Sequence, residues 1–533
     1  MVINNGSPNK LILIKPNQMK ETELVKYYGN NFTAISIPEG AVARKELIND
    51  LKEAIPAITK CILVADTDMF KTLCKVKKTS NLDGIPCDNV LNIPAFIVPN
   101  YFSFIYNPES KNRLDFIMSK VNAYILGVYK QIGDDIIEHS EHPSNRQELK
   151  QFLNKLNQYE KIAIDIETAN NHLFNLTPEE EKKFKSGLHH FSNRLYSLAF
   201  AWNKHEGGSF IYQDEYKDLL VKFFMSYKGT LIFHNAGFDV TQLIYHLFMS
   251  HLEDYVNMLV GLHTLCNKIE DTMLISYLAL NSCNKPNLNL KGLSHEYTGN
   301  YAEDVSDCTK IPIKDLLIYN LKDVLATWYV YEKYYPIMVK DNQEEIYKTL
   351  FLPSLKTLIE TQLVGLRIYP NKLRELSSTL KSNYQNTLDK IINLPKVKEV
   401  EQDLRIQACN KYNKEHKKQK TIDDFKDIVF NPSSTAHLIQ LLYDKYALPV
   451  LDMTDKGTPA CGTDTLEKLK HHVENQEIKD LLDNLINLSQ TDKIITAFIP
   501  SFEHTVELNG MKCLYGSFKL GGTVSGRLSS SNP

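Results

Sequence analysis

In KIAIDIETAN, residues 161–170, isoleucine recurs at alternate positions and acids stand between. A period of two belongs to a β-strand, so Ile162, Ile164 and Ile166 share one face while Ala163, Asp165 and Glu167 share the other. Two carboxylates side by side on such a strand repel one another and gain nothing from burial. A bound cation makes the arrangement tolerable. An exposed sheet face with two solvated acids would do the same.

Short apolar runs alternate with helical patterns on either side of this strand. KLILIKP (10–16), FTAISIP (32–38), KCILVAD (60–66) and NIPAFIVPN (92–100) read as strands. RKELINDLKEAI (44–55) and RLDFIMSKVNAYILGVYKQI (113–132) have the apolar spacing of amphipathic helices. The polar, proline-containing QIGDDIIEHSEHPSNRQ (131–147) reads as a linker. Beyond residue 345 the strand signals fade and helical patterns dominate, as in NKLRELSSTLKSNYQNTLDKIINL (371–394). The fold class expected is α/β, with an α/β module at 1–145, a second α/β domain at 146–345 and a mostly helical region at 346–533.

Composition excludes several classes. The 533 residues are 43% apolar and 23% charged, as in globular proteins, and have room for about three domains. A net charge of −3 gives no whole-molecule attraction to nucleic acid, so any basic surface must be local. The lysine-rich KYNKEHKKQKT (411–421) reads as a solvated surface loop, with a phosphate-contacting patch as the alternative. No apolar run approaches the ~18–20 residues of a membrane span, and the polar N-terminus lacks a secretory h-region. Nine scattered cysteines form no C-x-x-C pair, so neither a zinc site nor a disulfide framework is indicated. A cytoplasmic protein, in a bacterial or phage-infected cell, is expected.

Two further stretches carry acids. In LIFHNAGFDVTQLIYHL (231–247) an apolar strand ends at His234-Asn235, turns through Gly237 and enters a helix near Asp239. Alone, Asp239 would be an ordinary N-cap. In DLLIYNLKDVLATWYVYEKY (315–334) Tyr319 and Asp323 stand four residues apart, on one face of an amphipathic helix. His189, His190, His234, His246 and His251 share no ligand spacing and read as structural or surface residues.

Taken in order, D-x-E on a strand, N-x-x-F-D at a turn and Y-x-x-x-D on a helix resemble the DEDD 3′–5′ exonucleases with a tyrosine, which have a ribonuclease H-like fold. IEDTMLISYLAL (269–280) and LNLKGLSHEYTG (288–299) resemble the connecting helices of that family. The resemblance implies that Asp165, Glu167, Asp239 and Asp323 hold two Mg²⁺ or Mn²⁺ ions, hard cations that prefer oxygen ligands. It further implies that Tyr319 helps to hold the attacking water, and that Asn235 and Phe238 place or pack the terminal nucleotide. The product would be a nucleoside 5′-monophosphate released from a 3′ end.

The C-terminal region points to DNA. LPSLKTLIETQLVGLRIYPNKL (352–373) resembles the first polymerase-domain helix and turn of family A DNA polymerases. NPSSTAHLIQLLYDKYALPV (431–450) resembles their N-P-S-S segment, with Ser433 or Ser434 as an N-cap. LLDNLINLSQTDKIITAFIP (481–500) resembles their thumb helix. The closing TVSGRLSSSNP (523–533) resembles the family's segment that lies against primer–template, which implies contacts from Thr523, Ser525, Gly526, Arg527, Ser529 and Ser530. Small residues let a backbone approach phosphates closely, and lysine cannot reproduce an arginine's planar fork. The palm motifs with the polymerase carboxylates do not occur in the sequence.

The function expected from this resemblance is the N-terminal part of a replicative, proofreading family A DNA polymerase. A second chain would carry the remaining palm and fingers, and DNA would be the partner. A stand-alone, ribonuclease D-like exonuclease and a non-catalytic DNA-binding fragment are the alternatives. The Ser-rich end is expected to be disordered in the isolated chain, and the incomplete palm to expose apolar surface. Residues 1–145 are open to three readings: a degenerate nucleotide-binding module, a uracil-DNA-glycosylase-like module or a docking module. In that region the two acids of VADTD (64–68) read as structural. The missing 5′ nuclease and the lysine bias fit a phage enzyme.

Overall fold

The computed structural model describes residues 2–79, 82–106, 109–170, 190–280, 286–300, 307–454, 457–503, 505–508 and 511–531. The N-terminal sheet contains β1 (Val2–Asn5), β2 (Lys10–Ile14), β3 (Phe32–Ser36), β4 (Cys61–Val64) and β5 (Ala95–Ile97), in the order β1-β3-β2-β4-β5. All pairs are parallel except β1 with β3, an edge pairing that VINN is too polar to announce. Helices α1 (Glu21–Tyr28), α2 (Ala41–Ala54), α3 (Thr67–Cys74) and α4 (Glu109–Ile125) make the connections and cover both faces. That explains why KLILI is apolar throughout. Ile12 and Ile14 pack with Leu24, Tyr28, Leu114 and Ile117. Leu11 and Leu13 pack on the other side with Ile48, Leu51, Met69 and Phe70.

The second sheet contains β6 (His139–Glu141), β7 (Lys161–Asn170), β8 (Asn193–Ala201), β9 (Glu206–Ile211), β10 (Thr230–Phe233) and β11 (Ile269–Asp271). Its order is β11-β10-β7-β8-β9-β6, with β7 parallel to β10 and antiparallel to β8. The stretch read as a linker thus contributes an edge strand, β6, parallel to β9. Three polar residues on an edge carry no alternation to detect. Around the sheet lie α5 (Arg146–Leu156), α6 (Lys217–Ser226), α7 (Ala236–Leu243), α8 (Tyr255–Cys266), α9 (Thr272–Ala279), α10 (Leu290–Thr298), α11 (Ile313–Lys340) and α12 (Leu352–Val364). Because helices cover both faces, Ala163 is as fully buried as Ile162. An exposed acidic sheet face is therefore excluded.

Met1–Val364 with Gly516–Asn532 form one compact unit, and Gly365–Tyr515 form another. The second unit is mainly helical, with Pro370–Ile392, Pro395–Glu415, Thr463–Lys470 and Gln476–Lys493 around a core that includes Ile391, Val397, Leu441 and Leu485. Ser434 caps Thr435–Ile439, its hydroxyl accepting from His437 N at 3.5 Å. Lys417 and Lys418 are exposed where the lysine-rich stretch turns, and Asn413 ties the turn by donating to the Lys420 carbonyl at 2.9 Å. The chain is thus a mixed α/β region with a ribonuclease H-like sheet, followed by a predominantly helical region. Among the described residues no helix is long and apolar enough to cross a membrane.

The Ser-rich end is ordered. Ser517–Lys519 and Ser529–Ser531 pair antiparallel, and Thr523 Oγ1 donates to the Arg527 carbonyl at 2.8 Å across the turn. Within the first unit, Tyr277 Oη donates to the Thr523 carbonyl at 3.0 Å, and Phe518 N donates to Gln362 Oε1 at 2.8 Å. These partners lie far back in the chain, so composition could not reveal them. Gly521 stands at φ +68, where an added Cβ would come within 3.2 Å of the Tyr277 ring. Gly521→Val is therefore expected to release the hairpin, at a cost of about 1–3 kcal/mol. Hydrogen exchange should then show lost protection across 517–531 while β7 stays protected; unchanged protection would contradict the packing role.

Candidate metal centre

The strand β7 projects Asp165 and Glu167 toward α11, whose heptad-like apolar stripe (Leu316, Asn320, Leu321, Val324) is buried against the sheet. One turn of that helix separates Tyr319 from Asp323. One carboxylate oxygen from each of Asp165, Glu167 and Asp323 lies within 4.8 Å of the others. The β7–β8 register shifts between Glu167 and Thr168, so the regular ladder ends at the second acid.

Asp239 approaches from α7. Its Oδ1 accepts from Ile166 N at 3.3 Å, which places it beside the two β7 acids. It is not the N-cap. The strand ends at Phe233, the helix already begins at Ala236, and the cap position belongs to Asn235 at φ +63. Asn tolerates this left-handed conformation, so the helix starts before Gly237 and Asp239 falls inside it. Phe238 on the same turn is 37% exposed, an unusual state for a phenylalanine beside a buried acid.

Electrostatics fit a cation site. Burial, then the Asp323 and Asp239 charges, push Glu167 up to about 8. Burial chiefly raises Asp239 to about 8 as well, with Asp271 and Asp323 adding to it. Asp165 is held well above the usual carboxylate range by burial and by the other three acids. The Tyr319 phenol is raised far above its ordinary value by burial and by Asp323, Glu167 and Asp165, so it stays protonated. Such a dense set of hard oxygen donors, each penalised for its charge, suits divalent cations such as Mg²⁺ or Mn²⁺.

Three supporting residues carried no signal in the sequence. Asn320 Nδ2 donates to Asp165 Oδ2 at 2.6 Å, while its Oδ1 accepts from Ser197 Oγ at 3.0 Å. That bridge fixes the Asp165 rotamer. Lys291 of α10 lies 5.1 Å from the Tyr319 ring centroid, and its charge opposes the rise at Glu167. Asp271 is fully buried and accepts from Asn235 N, Ala236 N, Met273 N and Leu274 N at 2.9–3.3 Å. It caps α9 and also clamps the β10–α7 turn that aims Asn235, Phe238 and Asp239. An Asp before T-M-L announces a cap; nothing local announces the second job.

Of the histidines, His234 is structural. Its Nδ1 meets Thr272 Oγ1 at 2.8 Å and its Nε2 meets the Leu288 carbonyl at 3.0 Å, and burial lowers it to about 4. His189 lies outside the described residues. The hairpin residues Ser525, Gly526, Arg527 and Ser530 are exposed, while Thr523 and Ser529 are half-buried. They do not join the carboxylate cluster.

A family model described as 3′–5′ exonuclease, of the DNA polymerase A type, matches residues 141–338. The DNA polymerase of Bacillus phage SP01 is 24% identical over 248 residues, 43% of this chain and 26% of that protein. The DNA polymerase of Escherichia phage T5 is 24% identical over 333 residues, 58% of this chain and 34% of that protein. The matches thus span about a third or less of the length of these relatives. Among solved structures, the POL domain of Pol1 from M. smegmatis, in complex with DNA primer-template and dNTP, superposes with a TM-score of 0.48 at 14% identity, over 74% of this chain and 55% of that one. Residues 141–338, with their DEDD-type carboxylate set, are a family A DNA-polymerase-like 3′–5′ exonuclease domain, homologous at low identity to phage DNA polymerases.

Proposed function

We propose that this chain is the N-terminal part of a replicative family A DNA polymerase, whose exonuclease domain proofreads by removing nucleoside 5′-monophosphates from DNA 3′ ends. The observation that carries this reading is the cluster of Asp165, Glu167 and Asp323 within 4.8 Å, inside an exonuclease domain of the polymerase A type. Asp165, Glu167, Asp239 and Asp323 would hold two divalent cations. When bound, these supply an activated water and neutralise charge on the scissile phosphodiester.

The chain's own groups have distinct tasks. Asn320 keeps Asp165 in one rotamer, so the donor set is preorganised. The protonated Tyr319 hydroxyl donates a hydrogen bond to the water or a phosphate oxygen. Phe238 offers its exposed face to the terminal base, in the manner of single-strand binding proteins. The exposed Arg527 and its neighbours on the hairpin would touch the primer–template duplex. The palm and fingers would come from another chain, in the cytoplasm of a bacterial or phage-infected cell.

The test is a 5′-labelled single-stranded DNA incubated with the full chain and Mg²⁺ or Mn²⁺. A ladder shortening from the 3′ end, with mononucleotide products, is expected. RNA run in parallel should be degraded more slowly. No degradation with either metal would sink the reading. Tyr319→Phe, which keeps the ring and removes only the hydroxyl, should slow the reaction by roughly 10–100-fold with little change in thermal stability.

A further inference from the structure

The N-terminal module has a crevice that the exonuclease reading does not use. β2 leaves the sheet toward β3, whereas its neighbour β4 leaves toward β5. The connections therefore diverge between β2 and β4, the topological switch point where open α/β sheets hold ligands at the carboxyl ends of their strands. A cavity of about 520 Å³ lies there, lined by Lys15 and Asn17 after β2, Glu39 and Arg44 around the start of α2, and Asp66 after β4. This is the size range of small-ligand sites.

Its polar groups are incompletely matched. Arg44 Nε is buried and has no hydrogen-bond partner. The Arg44 guanidinium meets Asp68 only at 3.6 Å, and Lys15 meets Asp66 only at 3.5 Å, longer than charge-assisted hydrogen bonds. Asp66 also caps α3, accepting from Met69 N at 2.8 Å. The 14-residue α2, by contrast, has Gly40 at its N-cap, no capping side chain and no acid in its first turn. A Cβ added at Gly40 would meet nothing within 4 Å, so the space before the helix is open. An uncapped helix N-terminus with an arginine in its first turn and a lysine opposite favours a phosphate. Glu39 and Asp66 would oppose a bare anion but suit the hydroxyls of a sugar.

We propose that this crevice binds a nucleoside phosphate, its phosphate on Arg44, Lys15 and the first turn of α2, and its sugar on Glu39. The nucleotide may be free or the end of a strand, and the test separates the two. Titration calorimetry is run on the full chain carrying Asp165→Ala and Glu167→Ala, in EDTA, so that the carboxylate cluster takes no part and the result is independent of the exonuclease reading. The ligands are dTMP, AMP, a 5′-phosphorylated dinucleotide and inorganic phosphate. A mononucleotide should bind at least about tenfold more tightly than phosphate, and Arg44→Gln or Lys15→Gln should each weaken it by about tenfold or more. Tighter binding of the dinucleotide identifies a strand end, and equal binding identifies a free nucleotide. Thermal unfolding of each variant verifies its fold. No saturation by about 10 mM of any nucleotide, phosphate binding as well as the nucleotides, or unchanged affinity in both folded variants would overturn the proposal.

Discussion

Replacing Asp165 and Glu167 together by alanine should abolish the 3′–5′ degradation of single-stranded DNA, with a loss of at least about 10³-fold, the scale expected when the cation clamp is removed. The two acids sit on one face of β7, within 4.8 Å of Asp323, and no neighbouring oxygen donor replaces them. The fold should survive. Both side chains are penalised by burial and mutual repulsion, so their loss relieves strain in the metal-free protein. Circular dichroism and a melting curve beside the nuclease assay separate the two effects. Degradation that persists unchanged in the double variant would remove the carboxylate cluster from the mechanism.

The metal-free protein should lose stability as pH rises, and Mg²⁺ should reverse the loss. Glu167 and Asp239 are each raised to about 8 in the folded chain, from the ordinary values of 4.5 and 3.8. Between those limits the folded site keeps protons that the unfolded chain has released, so stability falls with increasing pH. His234 works the other way. Lowered to about 4 from 6.5, it contributes stability that is present above 6.5 and lost as pH falls toward 4. The window from 6.5 to 8 therefore isolates the carboxylates. Each group contributes at most about 1.4 kcal/mol per pH unit. Melting temperatures in EDTA should decline across this window, and the gap to Mg²⁺-containing samples should widen by a few degrees. A gap that stays constant with pH, or one that persists in the Asp165→Ala, Glu167→Ala protein, would refute the linkage.

The catalytic pattern was legible because each part of it is local. A strand repeats every two residues, so Asp165 and Glu167 had to share a face. A helix repeats every 3.6, so Tyr319 and Asp323 had to do the same. The parallel strands of the N-terminal sheet were equally plain, since KLILI and CILV are buried on both faces. What local pattern misses is a partner far away in the chain. Asn320 meets Asp165 across 155 positions, and Asp271 reaches back 36 to Asn235. Asp239 misled for a related reason. Its place depended on Asn235 taking a left-handed conformation and starting the helix early, a choice supported by the Asp271 carboxylate accepting from the turn.

The Ser-rich end divides the same way. Its residues Thr523 to Ser530 carry the resemblance to a DNA-contacting segment, and that much stood in the sequence. Whether a glycine- and serine-rich stretch is ordered depends on what packs against it, because such residues bury little surface of their own. Tyr277 and Gln362 supply the missing hydrogen bonds from helices α9 and α12, more than 150 residues earlier. The sequence by itself determined which side chains share a strand or helix face, since backbone geometry sets that spacing. Only the tertiary structure decided which faces meet, because long-range contacts place Asn320, Lys291 and Asp271 around the carboxylates and leave Arg44 unpaired in its crevice.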